Sequence, residues 1–429
     1  MKRLLLLGAL LTSSVSAQDS LTQSFTVSGI NVILRRVGNN DVVAANLYLL
    51  GGVRQTPVAR SGIELFLLAA SERGTRSYPR EVLRARMARL GTSIGADPEH
   101  DWTVFGLRST SEAFDSTWAI FADRLMRPRL DSSEVEFVRA QILSSLAQRQ
   151  DSPDERLADL ADSLSFTGHP YVAQPEGTTQ SIASMTVADL RAYHTEQIVT
   201  SRMLLVIVGN VDRAHVERLV RTSIGKLPAG KYAWSLPDTV VSRESSLFAE
   251  ARTLPTNYIL GYWAGPPASS RDAAALRVAS AVLSGRLFSE IRSKRNLTYA
   301  VNSPFVDRAL VFGGLYVTTV DPEQTLGIMR DEIKHLRDDP LDPAGLERLV
   351  QQFLTEYFLD NETNSSQADF LARAQLYRGD WRAASRFVDE LRAVTPADVQ
   401  RVARRYMRGI RFAYLGDPRR LRKETVERF

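Results

Sequence analysis

Apolar and polar residues alternate over 25–36 and again over 42–50, which predicts two strands joined by a polar turn at Gly38-Asn39-Asn40. The period then lengthens to that of a helix. Ile63, Phe66, Leu67 and Ala70 fall on one face of a helix that begins at Ser61, where Glu64 completes a capping-box spacing, and stops at Gly74. The same criteria predict helices over 80–90, 111–124, 133–148, 155–165 and 187–196, and strands over 102–108 and 203–209.

The order of elements then repeats. Leu130-Asp131 with Glu136 returns as Leu341-Asp342 with Glu347, Thr186-x-Ala188-Asp189 returns as Thr395-x-Ala397-Asp398, and Gly209-Asn210 returns as Gly416-Asp417. The offset drifts only from 211 to 207, so the chain reads as a duplication, and its period is too long for a solenoid. Two similar α+β domains are expected, over 18–226 and 244–429, with the Pro- and Gly-bearing stretch 227–243 as linker.

Composition agrees with this picture. The 429 residues suffice for two domains, and 44% apolar with 24% charged side chains is the balance of a soluble globular chain. The start of the chain adds an address. Met1-Lys2-Arg3, the apolar run Leu4 to Leu11 and the small residues of Val15-Ser16-Ala17 have the layout of a secretory leader. Residues 1–17 are therefore expected to be removed after Ala17 and the product exported, most simply to a bacterial periplasm. No later run approaches the roughly 20 apolar residues of a membrane span. Without Lys2 and Arg3 the chain keeps 52 basic and 49 acidic side chains, so charge gives no reason to expect a nucleic-acid partner. The arginines between Arg401 and Arg422 read as a solvated face. With no cysteine, thiol nucleophiles, cysteine-held zinc and disulfides are excluded.

Chemistry has few carriers. A hydrolytic zinc site needs three protein ligands and an open position, and two His at i and i+4 share a helix face. The five histidines, His100, His169, His194, His215 and His335, include no such pair, and His169 reads as a loop-packing residue. Yet the run Ser61-Gly62-Ile63-Glu64-Leu65-Phe66-Leu67-Leu68-Ala69, with Gly74-Thr75 after it, resembles the zinc helix of the pitrilysin/insulinase family of metallopeptidases. Further landmarks in that family's order are Gly51-Gly52-Val53-Arg54, Gly91-x-x-Ile94-x-Ala96, His169-Pro170-Tyr171 with Gly177-Thr178, and Val206-Ile207-Val208-Gly209-Asn210-Val211. The resemblance spans nearly the whole mature chain. It implies two homologous α/β-roll domains, each a mixed or antiparallel sheet packed by helices, that form half of a clamshell.

By the same resemblance, Leu65 and Ala69 stand at the two His positions of the inverted motif, Leu68 at the Glu base, and Ser145 at or near the third ligand. No metal is expected in this chain, and the emptied face is expected to be dry and well filled. The second half differs. Leu287-Phe288-Ser289-Glu290-Ile291-Arg292-Ser293-Lys294-Arg295-Asn296-Leu297-Thr298-Tyr299 is similar to the family's substrate-clamping segment, in which an Arg and a Tyr seven residues later face the zinc. Arg292 and Tyr299 keep that spacing, while Lys294 and Arg295 read as surface charges. Some family members divide these parts between two chains, as mitochondrial processing peptidases do. The resemblance therefore implies a zinc-less subunit that lends Arg292 and Tyr299 to a homologous partner carrying the intact motif and its Zn2+, with a peptide or unfolded polypeptide as substrate. The alternative is a binding or scaffold protein that keeps the peptidase fold, like the peptidase-derived core subunits of respiratory complexes.

Overall fold

Thr186 and Thr395 each accept a hydrogen bond from the backbone of the Asp three residues on, and that Asp returns one, so both copies of the repeat open a helix with a complete capping box. The computed structural model describes residues 21–240 and 244–429, so the leader and the last three residues of the 227–243 stretch lie outside the described residues. The first half runs β1 (Thr22–Val27), β2 (Ile30–Arg36), β3 (Val42–Leu50), α1 (Ile63–Ser71), α2 (Arg80–Leu90), β4 (Ser93–Pro98), β5 (Trp102–Thr110) and α3 (Phe114–Met126). It continues with α4 (Ser132–Asp151), α5 (Pro153–Ser165), α6 (Thr179–Ser184), α7 (Val187–Gln197), β6 (Met203–Gly209) and α8 (Arg213–Thr222). The second half opens with β7 (Ser246–Ala251), β8 (Asn257–Pro267), α9 (Arg271–Leu287), β9 (Val301–Asn302), β10 (Phe305–Val306) and β11 (Leu310–Thr319). Then follow α10 (Pro322–Asp338), α11 (Pro343–Asp360), α12 (Asn364–Arg378), α13 (Ala383–Arg392), α14 (Pro396–Tyr406), β12 (Arg411–Gly416) and α15 (Lys423–Glu427).

The sheet orders are β1-β2-β6-β3-β5-β4 and β7-β12-β8-β11-β10. Without β1 the two are the same: a strand parallel to its neighbour (β2 with β6, β7 with β12), then antiparallel neighbours to the far edge. The duplication read from the sequence is thus a duplication of mixed-sheet topology.

Local departures from the predicted elements have physical causes. The expected single strand over 25–36 is a hairpin, because Ser28 and Gly29 both take positive φ (51° and 79°) as a two-residue primed turn requires. β2 and β3 do not pair, since β6 lies between them. β4 was not predicted: only Ile94 of its residues is fully buried, so an edge strand leaves little alternation to read. The Ser61–Glu64 capping box does not form. Gly62 is the N-cap in the left-handed region (φ 83°), where a Cβ would meet Glu176 O and Gly177 Cα at 2.7 Å, and Glu64 turns inward instead.

One inner face of each sheet is covered by a helix from the other half. α5 of the first half crosses β8 and β12, and its counterpart in the repeat, α12, crosses β3 and β6. Ile33, Tyr48, Leu50, Trp102 and Val206 from the first sheet accordingly share one core with Ala368, Leu371 and Leu376 of α12. At this junction Asp101, 1% exposed, is the common acceptor. Its carboxylate takes hydrogen bonds from the Tyr171 phenol at 2.8 Å, the Tyr377 phenol at 3.1 Å and the Ala309 backbone N–H at 3.1 Å, and Arg54 Nε lies 3.0 Å away. Burial, reinforced by the Asp101 charge, pushes both phenols above their usual pKa, which keeps them protonated donors. Flanking bonds repeat the pattern: Arg308 to Asp162 at 2.8 Å, Arg373 to Glu99 at 3.1 Å and Arg156 to Glu250 at 2.5 Å all join the halves. Asp101→Ala leaves the Arg54 guanidinium without its buried carboxylate and is expected to cost about 3–5 kcal/mol of unfolding free energy in denaturant melts. A loss below about 1 kcal/mol would remove Asp101 from this role.

Candidate functional site

Helix α1 is fixed at both ends by a buried guanidinium. At its start Arg202 NH1 lies 3.0 Å from Glu64 Oε2, which also accepts from the Tyr193 phenol at 2.8 Å. At its end Arg124, fully buried, donates to the Leu68 carbonyl at 3.3 Å, the Ser71 hydroxyl at 3.3 Å and the Ile94 carbonyl at 2.9 Å. A cation on the last carbonyls complements the helix dipole. Burial lowers the Arg124 pKa to about 10, which still leaves it charged at neutral pH.

Between these anchors lies the face that would carry the metal motif. Leu68 is 1% exposed and belongs to the first-half core, Ala69 is half-buried and packs on that core, and Leu65 is half-buried. Ser145, on α4 against which α1 packs, is exposed. The expected dry, filled face is therefore found at Leu68, whereas Leu65 and Ala69 are only half-buried and Ser145 is exposed. Two Leu, an Ala and a Ser offer no donor set for zinc. Among the described residues, no group of three or more His, Cys, Asp or Glu could hold a metal ion. The histidines are occupied otherwise: His169 Nδ1 accepts from Tyr171 N–H at 3.1 Å inside an aromatic cluster, and His194 Nε2 contacts the Leu125 carbonyl at 2.8 Å.

Arg292 and Tyr299 come together in the second half. Helix α9 widens into a π-helical turn over Phe288–Ser293, and the chain reverses at Asn296 (φ 52°), a residue type that tolerates the left-handed region. Leu297 N–H bonds back to the Ile291 carbonyl at 3.0 Å, and the Thr298 hydroxyl donates to the carbonyls of Ala300 and Thr318, fixing the loop on β11. The Arg292 guanidinium lies 4.9 Å from the Tyr299 ring centre and 5.1 Å from that of Phe288. Tyr299 is 83% exposed. Among the described residues neither head group makes a hydrogen bond or an ion pair, whereas Lys294 and Arg295 are both held by Glu290. The segment packs on α9, β9 and α10, while α1 packs on α4, α7 and β4. The pair and the emptied helix thus sit in separate parts of the chain.

A third feature was not legible in the sequence. A cleft of about 1370 Å3 opens between the β3–β5–β4 face of the first sheet and helices α11 to α13. In it Arg373 bridges Glu99 (3.1 Å) and Asp369 (2.7 Å). Burial, the largest effect, raises the Glu99 pKa to about 7 despite that ion pair, and Asp369 and Asp97 add to the rise. The basic run 401–422 is largely neutralised by its own surroundings: Arg401 meets Asp272 at 2.6 Å, Arg419 meets Asp417 at 2.9 Å and Arg422 meets Glu323 at 3.3 Å.

A duplicated mixed-sheet roll with no metal donors at Leu65, Leu68, Ala69 and Ser145 defines a peptidase-like fold without a metal-holding group among the described residues. Two family models match the chain, Insulinase (Peptidase family M16) over residues 31–178 and Peptidase M16 inactive domain over residues 184–353. The chain belongs to the M16, or insulinase, family. An uncharacterised zinc protease of Streptomyces coelicolor is 24% identical to it over 82% of this chain and 80% of its own. Mitochondrial-processing peptidase subunit beta of Blastocladiella emersonii is 25% identical over 84% of this chain and 80% of its own. In fold, a solved protease from Helicobacter pylori matches with a TM-score of 0.84 at 18% identity, covering 92% of this chain and 99% of that one. Among the described residues no helix is long and apolar enough to cross a membrane.

Two outcomes test this description. The triple variant Leu65→His, Leu68→Glu, Ala69→His is expected to bind no zinc at stoichiometric level by metal analysis, because Ser145 still leaves the set short. It should also melt earlier, since it buries a carboxylate at Leu68. Stoichiometric zinc would show that a ligand at Ser145 is dispensable. For Glu99, the unfolded chain loses its proton near pH 4.5 and the folded chain near 7, so stability falls as pH rises through that interval. Glu99→Gln is expected to flatten that fall in thermal melts, and an unchanged slope would place the Glu99 pKa at its ordinary value.

Proposed function

We propose that this chain is the zinc-less subunit of an exported, heterodimeric M16 metallopeptidase. The observation that carries this reading is a contrast of side chains. The four metal-motif positions hold Leu65, Leu68, Ala69 and Ser145, while the half-buried Arg292 and the exposed Tyr299 stand stacked and free of other polar partners. A structural role would leave such groups tied to neighbours, as Lys294 and Arg295 are. The relative named as a subunit of a processing peptidase supports an assembly in which a homologous chain carries the complete motif. The secretory layout of residues 1–17 supports export.

In such a complex the partner's zinc would supply Lewis-acid polarisation of the scissile carbonyl. This chain's contribution is positional and electrostatic. Hydrolysis of an amide builds negative charge on the carbonyl oxygen, and a phenol O–H aimed at that oxygen lowers the barrier. Tyr299 supplies that donor. The Arg292 fork holds a neighbouring backbone carbonyl or carboxylate of the peptide, and its stacking on Tyr299 and Phe288 fixes the direction of both groups.

Co-expression with homologues that keep the inverted motif, followed by peptidase assays of each chain and of the pair, tests the reading. The chain alone is expected to cleave nothing, and the pair to cleave peptides. In the pair, Tyr299→Phe is expected to lower kcat about 10²–10³-fold. Undiminished turnover removes the catalytic role of Tyr299. Failure of every motif-bearing homologue to associate favours the scaffold alternative.

A further inference from the structure

The two sheets differ at one edge. In the first half β2 runs parallel to β6 and carries β1 on its other side, paired antiparallel from Thr22 opposite Arg35 to Val27 opposite Ile30. β7 holds the same place in the second half, parallel to β12 from Ser246 opposite Arg411 to Ala251 opposite Gly416. Among the described residues no strand lies beyond it. The ladder bonds show which backbone groups this leaves open. Ser246 N–H donates to the Ile410 carbonyl at 3.1 Å, and Arg252 N–H donates to the Gly416 carbonyl at 3.0 Å. Alternate residues of a strand turn their N–H and C=O to the same neighbour, so residues 246, 248, 250 and 252 face β12. Leu247, Ala249 and Ala251 face outward, and among the described residues no hydrogen bond to their backbone is found.

Nothing in β7 blocks a further strand. An open edge is a template for pairing unless short length, an outward charge, a proline or a bulge blunts it. β7 has 6 residues, no proline and an unbroken register on β12. Its one charged residue, Glu250, is drawn onto α5 by Arg156 at 2.5 Å. Phe248 is 46% exposed beside the open edge, and Ala249 and Ala251 are exposed with it. The other sheet edges differ. β10 has 2 residues, β4 ends on Pro98, and β1 exposes only Gln23, Ser24 and Thr26.

We propose that a second copy of this chain covers the edge, β7 pairing antiparallel with β7 about a two-fold axis through Ala249. A symmetric pair must set outward-facing residues against outward-facing residues, so the axis passes through a residue and not between two. At Ala249 all the open residues are used: Leu247 stands opposite the second copy's Ala251 and Ala249 opposite itself, each pair exchanging both backbone bonds. An axis at Phe248 would set Ala251 against Ser245, which lies outside β7, and one at Glu250 would oppose two carboxylates. Centred on Ala249, the strand is complementary to itself. Glu250 meets Phe248, Arg252 meets Ser246, and no like charges face each other. The two exposed Phe248 side chains become diagonal neighbours about 7–8 Å apart, within reach of aromatic rings. The Arg292–Tyr299 loop packs on α9, β9 and α10, and β9 pairs with β11 toward the opposite edge of the sheet. The pairing therefore takes nothing from that loop.

The test uses the purified chain alone. Sedimentation over a concentration series is expected to show a monomer–dimer equilibrium. Ala249→Pro removes an outward-pointing N–H and leaves the β12 ladder whole, so it should weaken the dimer at least tenfold with little change in melting temperature. A second measurement does not depend on how that variant folds. The chain has no cysteine, and directly opposed residues of a hydrogen-bonded pair have Cα atoms about 5.5 Å apart, the separation of a disulfide. Under mild oxidation Ala249→Cys should therefore link as a covalent dimer. Ala251→Cys, which meets Leu247 and not itself, should stay unlinked. A monomer at every concentration, a dimer that Ala249→Pro leaves intact, or equal cross-linking at the two positions would each overturn the proposal.

Discussion

The Asp101 carboxylate is shut off from water, and each donor that replaces water comes from a segment that the fold must first deliver. Arg54 and Tyr171 arrive from loops of the first half, Tyr377 from α12, and the Ala309 N–H from the turn before β11. These groups converge only if α12 has crossed to the first sheet and α5 to the second. The hub and the exchange of helices therefore stand or fall together. Removing apolar area from water drives the exchange, and the hub fixes its register, because a shifted α12 would leave buried donors and an acceptor unmatched. The aromatic contacts around it agree: Trp102 lies 5.1 Å from Tyr377 and 6.3 Å from Trp234 of the connecting stretch.

Within that frame, helix α1 is held in place by its ends, with apolar side chains on the face between them. The anchors at its two ends, Glu64–Arg202 and the Arg124 contacts to carbonyls, use no side chain at Leu65, Leu68 or Ala69, because the Leu68 contact is to its backbone carbonyl. The helix therefore stays in place without a metal, and Leu68 can join the core. The second half is the inverse case. Its π turn and the positive φ of Asn296 are local departures from regular geometry, and they present Tyr299 to solvent with Arg292 half-buried beside it.

The fold was legible where a local rule and the tertiary structure agree. The Thr-x-x-Asp caps appear in both copies because each starts a helix whatever surrounds it, and the stripe Ile63, Phe66, Leu67 and Ala70 is buried as its spacing implies. It was illegible where a tertiary partner overrides the local rule. Glu64 has capping-box spacing, but a buried guanidinium from the start of β6 claims it. The phase of alternation slips by one residue between Val27 and Ile30, and the positive φ of Ser28 and Gly29 turns that slip into a hairpin. Nothing in α12 announces that its apolar face belongs to the other half, since a helical stripe shows that a face is buried and not against what. The interdomain cleft is lost for the same reason: Phe353, Glu356, Tyr357 and Asp360 spell a helix face, but their meaning depends on a sheet some 250 residues earlier in the chain.

The reciprocal crossing of α5 and α12 also bears on motion. Hinge movements usually occur where two domains meet through a small polar surface and a loose connection. Here each half reaches over the other like clasped hands, and the stretch after residue 226 is itself tied down, with Pro228 and Ala229 carbonyls accepting from Thr200 and Ser201 and Trp234 bonded to the Leu376 carbonyl. Pulling the halves apart would unroof both sheets at once, so among the described residues the crossing resists a hinge between the halves and ties the opening of one core to the opening of the other.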